Sequence, residues 1–152
     1  MSWSRLGLFT VLLTLSPLVV EAHPLSFTET TLILNADGTF QVDLVCDLDA
    51  LALGLPQDAD DAELSATLNA LSATELSSLT QRLRQLFLRR VRVRFDGNPE
   101  PFNVTFPDYR TNRATESAIP TVLGLTARLS GTVPSEALEV EFFASRSFSE
   151  VH

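Results

Sequence analysis

The chain contains no lysine, so all eleven of its basic residues are arginine, outnumbered by nineteen acidic residues for a net charge of −8. Without lysine there is no side-chain amine for a Schiff base. The acidic balance argues against nucleic acid as a partner, because binding a polyanion depends on a positive surface that releases counterions. A single cysteine, Cys46, excludes an intrachain disulfide, so stability has to come from packing. The only histidines are His23 and His152, which leaves no imidazole between them to act as a general base, and the only methionine is Met1. Serine and threonine are plentiful but stand in no G-x-S-x-G or S-x-x-K context. No site assigns itself to catalysis, and the chain is expected not to be an enzyme.

Long apolar runs are also scarce, with one exception at the front. Met1 to Arg5 carries one positive charge, and residues 6–20 are apolar apart from Thr, Ser, Gly and Pro17. Val20-Glu21-Ala22 then offers residues that signal peptidase accepts. The run falls short of the ~20 residues that cross a bilayer, which favours a cleaved signal over an anchor. Residues 1–22 therefore read as a signal peptide, and residues 23–152 as a single exported β-rich domain, periplasmic or on the outer face of the cytoplasmic membrane. About 130 mature residues suit one domain, and 45% apolar with 20% charged residues is the composition of a folded one.

Residues 25–34 read as a strand, and Asn35-Ala36-Asp37-Gly38-Thr39 as the turn of a hairpin. In the next run Phe40, Val42, Leu44, Cys46 and Leu48 alternate with Gln41, Asp43, Val45, Asp47 and Asp49, which predicts one core face and one acidic, solvated face. Cys46 falls on the core face, as a buried and inert thiol. After Gly54-Leu55-Pro56, Leu64, Leu68 and Leu71 have helical spacing. Ser72-Ala73-Thr74-Glu75 has the form of a capping box opening a second helix, with Leu76, Leu79, Leu83 and Leu86 on one stripe.

Val91, Val93 and Phe95 alternate with Arg92 and Arg94, and Asp96-Gly97-Asn98-Pro99 turns the chain toward Phe102, Val104 and Phe106 as a second hairpin. A polar loop with Tyr109, Arg110 and Arg113 follows. Alternation in 123–129 and 138–142 predicts a closing meander. The fold class expected is mostly β, a β-sandwich-like domain with a short helical insertion. The alternative is an α+β fold, an antiparallel sheet with helices on one face.

Four features are candidates for chemistry. His23, as the mature N-terminus, would offer an α-amine and an imidazole to one metal ion, a nitrogen donor set that copper and nickel accept. A frayed terminus explains the same residue. Asp43, Asp47 and Asp49, with Asp58, Asp60, Asp61 and Glu63 beyond them, suggest an oxygen cage for calcium, but no Gly stands at the turn position of a Ca loop. A solvated strand face and negative charge at a helix N-terminus account for them better. Arg82, Arg84, Arg89, Arg90, Arg92 and Arg94 fall together, either as an anion patch or as a solvated face. Asn103-Val104-Thr105 is a formal glycosylation sequon lying in a predicted strand.

Several strings in the chain go together. Ala22 to Ser26 (Ala-His-Pro-Leu-Ser), Asp47 to Leu51, Arg92 to Gly97, Leu129 to Pro134 and Phe142 to Phe148 make the chain similar to the exported front domain of HupE/UreJ-like membrane proteins. The resemblance implies a domain that precedes a bundle of membrane-spanning helices, with hydrogenase and urease accessory functions and nickel uptake as the associated tasks. It implies no site residue other than His23. The membrane-spanning bundle is missing from the sequence up to His152, so the chain is expected to be a truncated member or a separate subunit.

The function these readings support is a non-enzymatic exported accessory or interaction module, associated with a membrane protein partner or a missing membrane-spanning segment and engaged in nickel or other metal handling. One alternative is a free periplasmic copper- or nickel-binding protein built on His23. Another is a hydrolase whose carboxylates meet only in space. The exported protein is expected to begin at His23, and N-terminal sequencing of secreted material checks this; Met1 recovered in a membrane fraction would contradict it.

Overall fold

A computed structural model describes residues 27–109 and 121–144. The alternating run forms as a strand because one set of its side chains has a core to enter: Phe40, Val42 and Leu44 in β2 (Thr39–Val45) are each at most 1% exposed. β1 (Glu29–Leu34) precedes it in an antiparallel hairpin. In the turn, Asp37 Oδ1 accepts from the Thr39 N–H and hydroxyl at 3.0 and 2.7 Å, and Gly38 supplies a φ of +79°.

The strand ends sooner than its alternation predicts. Cys46 continues the ladder with one bond, its N–H donating to Leu125 O at 2.9 Å. Asp47 then caps a helix where the alternation predicts the end of the strand: its carboxylate accepts from the Asp49 and Ala50 N–H groups and opens α1 (Leu48–Leu53). Gly54, in the left-handed region at φ +70°, closes α1. Asp60 caps α2 (Asp61–Asn69), and Ser72 with Glu75 forms the predicted capping box of α3 (Ala73–Arg90). On α3 the buried line is Leu76, Leu79, Leu83 and Phe87, while Leu86, expected in that line, is half-buried. Phe87 lies four residues beyond Leu83 and so takes the inner position.

From Arg90 the chain enters β3 (Val91–Phe95) with no intervening loop, and Val91, Val93 and Phe95 are buried while Arg92 and Arg94 are exposed. Two expected pairings are corrected here. β3 turns at Asp96-Gly97 into the short β4 (Asn98–Glu100) alone, and β5 (Asn103–Thr105) crosses to the other sheet. The closing pair is not a meander either, because β6 (Thr126–Thr132) lies between β2 and β5 while β7 (Val140–Ala144) pairs with β3. Alternation fixes which face a strand buries, not which neighbour it takes.

Two antiparallel sheets result, ordered β1-β2-β6-β5 and β4-β3-β7, with the three helices inserted between β2 and β3. Their inner faces contribute to one hydrophobic cluster. Aromatic rings bridge it: Phe40 meets Phe95 with centroids 5.5 Å apart, and Phe87 meets Phe27 and Phe106 at 6.5 and 6.1 Å.

Opposite Phe40 on β6 stands Gly131, where an added Cβ would come within 2.6 and 2.7 Å of the Phe40 ring and 2.8 Å of Pro101 O. Only glycine leaves room for that ring. Leu44→Ala should lower stability by about 2–5 kcal/mol through lost burial and a cavity, and Gly131→Ala by about 1–3 kcal/mol through overpacking. Urea unfolding curves of the two variants check both figures.

Candidate functional site

The acidic residues do not form a free, solvated face. Asp43 is half-buried and takes a bidentate pair from Arg128, its cross-strand partner on β6, with both N···O distances 2.8 Å. Gln41 adds a third bond to Asp43 at 3.0 Å. Asp47 and Asp60 are helix caps, and Asp61 and Glu63 lie in the first turn of α2, where the helix dipole favours negative charge. Among the described residues no group of three or more His, Cys, Asp or Glu is placed to hold a metal ion. His23, His152, Arg110 and Arg113 lie outside the described residues.

Asp49 departs furthest from its expected place on a solvated strand face. It sits in the first turn of α1, 2% exposed, with its two oxygens accepting from the Val122 and Leu123 N–H groups at 2.7 Å each. Burial pushes its carboxyl above the ordinary value of 3.8, against the opposing pull of the bonds from Val122, Leu123 and the Thr121 side chain. Its role was hidden by a short side chain in alternating register. The signal that could have found it is a lone acid inside the apolar run Leu48-Asp49-Ala50-Leu51-Ala52-Leu53.

Cys46 is 2% exposed, and burial, with the neighbouring Asp47 charge adding to it, pushes its thiol up to about 12. At neutral pH it carries no thiolate and is inert, as its position on the inner face of the run predicts.

The arginine cluster divides by element. Arg92 folds back over the end of α3, where its Nη1 lies 2.7 Å from Val91 O, 3.0 Å from Leu88 O and 3.2 Å from Arg89 O. Arg89 donates to Gln85 O. Both complement the negative end of the helix dipole. Arg84 faces the other way, its Nε donating to Val104 O on β5 at 2.9 Å and its Nη1 to Gln81 Oε1 at 2.6 Å.

Beside Arg84 a groove of about 930 Å³ opens between α3 and the segment from β5 to Tyr109. Ala73, Ser77, Gln81 and Arg84 line its helix side together with the exposed Arg82, and Thr105, Phe106 and Tyr109 line the other side. The helix residues follow one another at intervals of four, four and three, so they share one face of α3. The sequence does not disclose this placement, because a line of small and polar residues on a helix reads as its outer surface.

No protein-family model, curated protein or solved structure matches the chain.

The carboxyl of Asp49 should titrate above 3.8 in the folded protein, as followed by carboxyl-detected NMR. A raised folded value means that this group favours folding most below 3.8 and loses that contribution as pH rises through its folded pKa. Asp49→Ala should cost on the order of 3 kcal/mol at neutral pH, because it leaves two buried N–H groups without acceptors.

Proposed function

We propose that the chain is a non-enzymatic exported accessory module, of the kind its resemblance to HupE/UreJ-like front domains implies, which works against a membrane protein partner in handling nickel or another metal ion. The observation that carries this reading is the outer edge of the larger sheet. All six residues of β1 are exposed, and among the described residues the strand pairs only with β2. Leu32, Ile33 and Leu34 are 38, 41 and 54% exposed.

Sheet edges in soluble domains are blunted with charge, proline or bulges, since bare backbone invites another strand. β1 carries one charge, on Glu29, and its pairing with β2 runs unbroken in register from Glu29 to Leu34. A row of backbone groups that pair with no other described strand, beside exposed apolar side chains, suits the addition of an extended partner segment. Ile33 points to the opposite face from Leu32 and Leu34, so both faces of the edge are apolar at this point.

A photo-crosslinking residue at position 33, introduced into the protein in its native host, should give adducts with a membrane-embedded protein. The same probe at the exposed Asn69 on α2 should give none. Ile33→Asp should abolish membrane association while changing stability by no more than ~0.5 kcal/mol, as expected of a surface position. Adducts confined to soluble proteins, or unchanged fractionation of Ile33→Asp, contradict the reading.

A further inference from the structure

The geometry points to the groove between α3 and β5 as a binding site for a small organic carboxylate, a use independent of the membrane partner. Of the five N–H donors of Arg84, one on Nε is occupied by Val104 O and one on Nη1 by Gln81. Those two bonds hold the guanidinium at the groove wall and leave three donors uncommitted. Arg82, exposed beside the groove, makes no hydrogen bond or ion pair among the described residues. Among the described residues no acidic side chain lines the groove.

In a chain of net charge −8 this is a local inversion of sign. At physiological salt charges beyond ~8 Å are largely screened, and among the described lining residues the charged ones are Arg82 and Arg84. The planar guanidinium matches a carboxylate in two parallel bonds. A volume of about 930 Å³ far exceeds an inorganic anion and lies within the range of small-molecule sites. Phe106 and Tyr109 give the groove an aromatic wall for an organic body, and the hydroxyl of Thr105 and the amide of Gln81 give it polar partners. Ala73 and Ser77 keep the helix side low, so that the body has room beside α3.

Citrate titrated into the purified protein at low salt, followed by backbone amide NMR, should give saturable shifts centred on Ser77, Gln81, Thr105 and Tyr109. Arg82→Gln should weaken binding about tenfold, as loss of a charged hydrogen bond does. Ser77→Leu should abolish it by filling the groove. Both residues are exposed on α3, and melting temperatures measured in parallel should match the parent protein. Succinamide, which lacks the charge, should not bind. No saturable shifts with citrate, equal binding by parent and both variants, or equal shifts with inorganic sulfate would each overturn the proposal, the last by reducing the groove to a generic anion patch.

Discussion

A carboxylate taken out of water costs several kcal/mol unless its charge is met by close donors, and Asp49 is met by two backbone N–H groups at 2.7 Å. Those donors lie 73 and 74 residues further along the chain. The bond pair therefore sets where the chain returns before β6, against the first turn of α1. From that point Leu125 O receives the Cys46 N–H, and β6 runs beside β2 in register from Thr126 opposite Val45 to Thr132 opposite Thr39. β5 then pairs with the other side of β6. The order of the larger sheet follows from this junction, as does the burial of Leu123 and Ala127.

A second acid governs the passage between sheets. Asp96, in the turn after β3 at φ +48°, accepts from Leu138 N and Glu139 N at 3.1 and 2.9 Å, and its own N–H donates to Glu139 O at 3.1 Å. Val133 N donates to Gly38 O at 2.8 Å at the other end of the same connection. The segment leaving β6 is thus held to the larger sheet at its start and to the smaller sheet at its close. With Asp43 on Arg128 and Asp47 and Asp60 capping helices, much of the negative charge has a bonded place in the fold.

The legible parts were those in which local chemistry alone decides. Phe40, Val42, Leu44 and Cys46 are buried on one side of the run, because period-two alternation states a face directly, whereas Leu48 is buried as the first residue of α1. Ser72 and Glu75 form their box because both partners lie within one turn. What stayed hidden depends on long-range closure. Whether Val104 pairs toward Val93 or Leu129 is not written in either local pattern, and β5 chose Leu129. Asp47 and Asp49 kept the alternation of a strand while serving, respectively, as a cap and a buried tie. The groove was hidden for a related reason: Arg84 reveals its orientation only through Val104 O, twenty residues away.

The direct join of α3 to β3 has a mechanical meaning. Val91 is both the C-cap of the helix, with its N–H on Phe87 O, and the first residue of the strand, at φ −107° and ψ 147°. Eighteen helical residues extend about 27 Å, and no flexible linker separates them from the middle strand of the smaller sheet. Helix and strand are one continuous segment with a single residue as their joint. The end of α3 and the start of β3 are therefore placed together, and β4 and β7, bonded to either side of β3, take their position from the same join.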